Sequence, residues 1–98
     1  MEMTKYVVFW EYDPDDVDKV REKSVKMQAE RKKTPEKYAK YLFPPHHMGY
    51  CKGFSIVDVA DPRQMTSAYA YWFPEMELQY VPIIDNVELT KTYRDRQK

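Results

Sequence analysis

The stretch TKYVVFWEY (Thr4–Tyr12), followed at once by DPDD (Asp13–Asp16), reads as a strand running straight into a helix start. β-branched and aromatic residues dominate the strand, the composition of a pleated and largely buried surface. Alternation puts Tyr6, Val8, Trp10 and Tyr12 on one side and Lys5, Val7, Phe9 and Glu11 on the other. A sheet with helices on one face only should show a polar second face. Here both sets are largely apolar, so both faces need cover, which points to a second copy of the chain. Asp13 can cap the helix, Pro14 suits its first position, and the acids after it favour the positive end of the helix dipole. A staple of Tyr12 against Val17 would turn the Tyr6–Tyr12 set toward the helices and leave Val7, Phe9 and Glu11 for the opposite face.

Outward from this stretch, Val17, Val20, Ser24 and Met27 mark a thin inner stripe on a helix that reaches Lys33 and is otherwise charged, a solvated surface. Thr34-Pro35 ends it. Residues 38–43 form a second strand closed by Pro44-Pro45, and residues 51–60 a third. In the third, Phe54 and Ile56 share one face, and Gly53, Ser55, Val57 and Val59 the other. Asp61-Pro62 opens a second helix with Gln64 placed to complete a capping box. Met65, Ala68, Tyr69 and Trp72 give its core stripe, and Pro74 stops it. Residues 78–85 make a fourth strand, and Asn86 caps a short last helix to about Arg94. The order is βαββαβ with a terminal helix, and strand, Asp-Pro, helix occurs twice, as a split βαβ duplication does. Proline confines the second and fourth strands to the sheet edges. The expected fold is therefore α+β and ferredoxin-like, an antiparallel sheet of order 4-1-3-2 with both helices on one face.

The chain has 98 residues, one domain's length, and so modest core of its own. Sixteen basic residues balance sixteen acidic ones, leaving no basic excess to attract nucleic acid or an anionic membrane. One cysteine makes no internal disulfide and suggests a reducing, cytoplasmic setting. No apolar run has signal-peptide or membrane-span length. Nine tyrosines, each an apolar body with a polar tip, suit a half-wet cleft or an interface.

Chemistry concentrates in PPHHMGYCKG (Pro44–Gly53), which holds both histidines, both glycines and the cysteine. Adjacent residues of an extended chain point to opposite faces, so His46 and His47 do not jointly chelate an ion, and no metal-ligand spacing is present; neither metal nor cofactor is expected. Cys51 reads as a small buried hydrophobe. Glu11, ending a central strand, can orient a histidine, pair with Lys52, or be a solvated strand-end charge. Val7, Phe9, Ser55 and Val57 are expected on the face between subunits. Met48, Tyr50 and Tyr80 can line a cleft mouth or pack in the interface, and Lys52 beside Gly53 can approach an anionic ligand group. Val7, Phe9, Met48, Lys52, Ser55, Val57 and Tyr80 are thus the candidate ligand-binding residues.

The runs YVVFWEYDPDD, LFPPHHMGYCKGFSIVDV and YWFPEMELQYVPII resemble a small uncharacterised family within the dimeric α/β-barrel superfamily, over about residues 4–85. The most specific part is P-H-x-M-G-x-C-K-G-F-S-I-V, matched by Pro45, His46, Met48, Gly49, Cys51, Lys52, Gly53, Phe54, Ser55, Ile56 and Val57. The resemblance implies two ferredoxin-like sheets packed face to face as a homodimer, each subunit holding a cleft between its sheet and neighbouring loops. It carries no activity across, because the wider superfamily includes cofactor-free monooxygenases, isomerases, haem enzymes, regulatory domains and stress proteins. The motif singles out His46. Three classes follow: a small-molecule-binding protein with an apolar cleft near His46, a cofactor-free enzyme using His46 and Glu11 as acid and base, or an assembly module. A cleft of roughly 300 Å³ or more separates the first two from the third.

Overall fold

The computed structural model describes residues 4–97. Four strands, β1 (Thr4–Tyr12), β2 (Lys40–His47), β3 (Lys52–Val59) and β4 (Met76–Pro82), form one antiparallel sheet of order β2-β3-β1-β4. Read from the other edge this is the expected 4-1-3-2. Three helices accompany it, α1 (Val17–Lys33), α2 (Pro62–Trp72) and α3 (Asn86–Arg96), with single 3₁₀ turns before and after α1. The fold is α+β.

Local signals explain the element boundaries. Asp13 starts the turn that leads into α1, its carboxylate accepting from the Asp15 N–H at 2.8 Å. At α2 the capping box forms: the Asp61 carboxylate accepts from the Arg63 N–H at 2.9 Å, and Gln64 Oε1 accepts from the Asp61 N–H at 3.4 Å. Gln64 also donates to the Glu36 and Tyr38 carbonyls, each at 3.2 Å, which ties α2 to the segment leading into β2. Lys23 joins the helices at the other end, donating to Tyr71 O at 2.9 Å and pairing with Glu75 at 2.7 Å, while Tyr71 Oη donates back to Lys23 O at 2.7 Å. The Lys23 hydrogen bond holds the Glu75 carboxyl below its usual range.

Three boundaries differ from the sequence reading. β2 does not stop at Phe43 but runs through both prolines to His47, with register breaks between Tyr41 and Phe43 and between Phe43 and His46. An edge strand tolerates this, because a proline at a bulge removes no ladder bond that the sheet needs. β4 begins earlier and ends at Pro82. The cap of α3 is Asp85 rather than Asn86, its Oδ1 accepting from the N–H groups of Val87 at 2.8 Å and Glu88 at 3.3 Å.

The register decides which face is inside. Val8 stands opposite Ser55 and Tyr6 opposite Val57, whereas Val7 faces Ile56 and Phe9 faces Phe54. Partners directly across an antiparallel ladder share a face, so Ser55 and Val57 lie on the helix side with Val8. They are 4% and 3% exposed. Their expected place on the face between subunits is thus corrected: alternation sorts β3 into two sets, and only pairing with β1 says which set goes in. Val8, Ala39, Val57 and Val59 form the core, with Tyr6, Met65, Leu78 and Tyr80 packed on it. On the opposite face Phe9 and Phe43 remain 37% and 38% exposed.

Candidate functional site

A cavity of about 450 Å³ lies between the inner sheet face and the helices. Val8, Trp10, Ser55, Val57, Leu78 and Tyr80 supply its floor. Val20, Ser24 and Met27 of α1 roof it with Ala68 and Trp72 of α2. The space exists because the inner stripe of α1 is thin: Ser24 sits between Val20 and Met27, and only those two residues of the helix are buried. Ligand sites commonly occupy 300–1,000 Å³ (roughly) and are walled by apolar and aromatic groups with a few polar ones. This cavity has that character.

At one end stands His47, edge-on to Trp10 with ring centroids 4.8 Å apart and its Nε2 at 3.4 Å from Tyr12 Oη. At the other is Arg31, whose guanidinium carbon lies 4.0 Å from the Tyr41 ring centroid and 5.3 Å from that of Tyr38. Its Nη1 donates to Ala39 O at 2.9 Å, and its Nε–H is buried without an acceptor. Tyr80 lines the same cavity, and burial pushes its hydroxyl up to about 12, with smaller contributions from Tyr69 and Tyr41. Tyr41 and Tyr12 are also raised, chiefly by burial.

A raised tyrosine pKa leaves the native state holding a proton that the unfolded chain has already released. Stability therefore falls as pH climbs from about 10 towards 12, and below that window Tyr80 contributes no slope. Urea midpoints taken from pH 8.5 to 11.5 are expected to drop, and Tyr80→Phe to lessen the drop by up to about 1.4 kcal/mol per pH unit. Identical alkaline slopes for the two proteins would contradict the burial of this hydroxyl.

The residues singled out in the sequence separate into two groups. Ser55, Val57 and Tyr80 meet in the large cavity. Phe9, Glu11, Met48 and Lys52 gather instead around a smaller hollow of about 230 Å³ on the opposite sheet face, where Val7 also lies. His46 lines neither. Its exposed ring stacks on Phe43, centroids 4.4 Å apart, and its Nδ1–H donates to Pro44 O at 2.7 Å. His46 pairs with Phe54 and Glu11 with Lys52, on strands that flank β3. Strand spacing and rise put their Cα atoms about 12 Å apart, which gives an acid–base partnership of the two no support. The cavity histidine is His47. Cys51 is buried as expected, and burial, then Asp13, raises its thiol, the opposite of nucleophile activation.

The hairpin carrying these residues is held by unusual backbone. Cys51 has φ 67°, a left-handed conformation rare for a side-chain-bearing residue, and Gly49 has φ 87°. The Cys51 carbonyl accepts from the Tyr12 N–H at 2.9 Å, and the Met48 N–H donates to Lys52 O at 2.8 Å. These bonds close the β2–β3 hairpin, in which His46 stands opposite Phe54 and His47 opposite Gly53, so the two histidines lie on opposite sheet faces.

Arg21 and Arg31 were hidden in the charged run of α1. The signal for them is positional: with Gln28 they continue the Val17, Val20, Ser24, Met27 stripe at helical spacing, and all three line the cavity.

The arrangement is thus an α+β domain with helices over one sheet face and a ligand-sized cavity beneath them. The chain belongs to the family described as a domain of unknown function, DUF3303, whose family model matches residues 4–97. No curated protein and no solved structure gives a significant match. Among the described residues, no helix is long and apolar enough to cross a membrane.

Proposed function

We propose that the protein is a homodimer that binds a small apolar or aromatic molecule in the cavity between its sheet and its helices. The cavity itself carries this reading: about 450 Å³ walled by Val8, Trp10, Met27, Val57, Trp72 and Leu78, far more than a well-packed interior of this size leaves open. The site lies at His47 and Arg31 and not at His46. The cytoplasmic setting suggested by the lone cysteine belongs to the same proposal.

The dimer part rests on the uncovered face. Val7, Phe9, Phe54, Ile56, Phe43 and Val81 share the sheet side that bears no helix. Mixed charges rim it, with Lys5, Lys40 and Lys52 against Asp58, Glu11 and Glu77, which suits contact with a second copy rather than a strongly charged partner. Every residue from 81 to 97 is exposed, including Ile83, Ile84, Val87, Leu89 and Tyr93. The Cα radius of gyration is 15.8 Å, against about 13 Å for a compact chain of this length. An arm so apolar and so little packed has surface to place on a neighbour. The strand order suits a ferredoxin-like subunit, and face-to-face pairing would make a dimeric α/β barrel.

The test of binding uses N-phenyl-1-naphthylamine, a neutral probe whose emission rises in dry surroundings. Bright, saturable emission is expected with the native protein. Ala68→Phe, which fills the cavity from α2, is expected to weaken it at least about ten-fold without lowering the melting temperature, since it adds apolar bulk to existing space. Equal probe affinity in the two proteins would overturn the assignment.

A further inference from the structure

We infer that the ligand of this cavity is an anion, an apolar or aromatic monocarboxylate whose carboxylate sits against Arg31; the inference rests on the binding reading above. The charge of the lining carries it. Two formal cations, Arg21 and Arg31, border the cavity, and no aspartate or glutamate does. Of the other cations on α1, Lys19 and Lys26 pair with Glu22 and Lys23 with Glu75, while Lys32 and Lys33 in its last turn are exposed to solvent. Among the described residues, neither Arg21 nor Arg31 has a carboxylate within ion-pair distance. The two cations on the cavity side have no carboxylate beside them, and of all the unpaired cations on α1 only Arg31 is withdrawn from solvent.

Of the two, Arg31 is the anchor. Arg21 is exposed, whereas Arg31 is half-buried and held between the Tyr38 and Tyr41 rings, with one amino group on Ala39 O. Its position is fixed by groups that leave its charge uncompensated, and its remaining donors are taken up by no described residue. A guanidinium prepositioned in this way presents a planar fork to a carboxylate, and the low polarity around it strengthens the pairing. The Tyr80 hydroxyl, neutral at physiological pH, lines the same space and adds a donor. Arg21 stands ten residues along α1, about 15 Å away by helical rise, with Ser24, Met27 and Gln28 between the two on the roof and Val8, Val57 and Leu78 on the floor. One half-buried positive charge over a largely apolar floor matches one negative head on a hydrophobic body. A phosphate would bring a second charge that this end of the cavity does not balance.

Titration calorimetry of the full chain with 1-naphthoate and its uncharged analogue 1-naphthalenemethanol, at pH 7.5, tests this. The acid is expected to bind about ten-fold or more tightly than the alcohol, the worth of a charge-assisted hydrogen bond. Arg31→Gln is expected to bring the acid-to-alcohol affinity ratio to about one, with circular dichroism reporting that the variant is folded, and Arg31→Lys to retain part of the advantage. Equal binding of acid and alcohol to the native protein would overturn the anion and leave the cavity standing. So would an acid preference that persists in Arg31→Gln. Failure of both compounds to bind would overturn the binding reading itself. If Arg31→Gln does not fold, the comparison of the two probes on the native protein still decides.

Discussion

Phe9→Asp is expected to turn the proposed dimer into monomers or to unfold it. Phe9 lies near the middle of the helix-free face, opposite Phe54 on β3 and Gln79 on β4. In an isolated subunit an aspartate there would be easily hydrated, since Phe9 is already 37% exposed. In a two-fold interface the substitution occurs twice, and each copy strands a carboxylate in a dry contact. At about 3 kcal/mol per copy, the dimer constant weakens by roughly 10⁴, enough to separate the chains at micromolar concentration. Sedimentation velocity should show one slower species. An unchanged sedimentation profile with an unchanged melting curve would mean that this face is not the interface.

A second large effect is expected at Gly53. It pairs with Trp10 on one side and His47 on the other. A Cβ added there would overlap the backbone carbonyl of His46 and the indole ring of Trp10. A flexible side chain could move aside, but a carbonyl in a strand ladder cannot without breaking the β2–β3 pairing. Gly53→Ala is therefore expected to cost more than about 4 kcal/mol, beyond the usual range of single substitutions and a large part of a small domain's stability. Circular dichroism should show a protein unfolded or melting far below the native one. An alanine variant that melts within a degree or two of native would contradict the packing of Trp10 over this glycine, and with it the orientation of His47.

These two positions also show what the sequence made legible. The strand at Thr4–Tyr12, the Asp-Pro helix start at Asp61 and the Gln64 capping box are local signals that form, whereas Asp13-Pro14 opens a 3₁₀ turn and α1 itself begins at Val17. Proline placement was enough for the strand order, because a missing N–H restricts a strand to an edge wherever it stands. The inner face of β3 was not legible, since Phe54 and Ile56 are as apolar as Val57 and Val59, and only the register with β1 separates them. Nor was the choice between the two histidines. Their opposition follows from an extended backbone, but which one turns inward depends on two register breaks in β2 that no local residue announces. Arg31 was obscured by its neighbours: in a helix so rich in charge, a cation on the inner stripe looks like those on the outer face until the stripe is traced past Met27.

Native mass spectrometry of the gently purified protein tests the account most directly, because it reads chain number and bound ligand together. The prediction is a species of twice the 11.9 kDa chain carrying small-molecule mass that collisional heating removes and Ala68→Phe abolishes. A single bare chain at micromolar concentration, unable to take up added naphthoate, would contradict it.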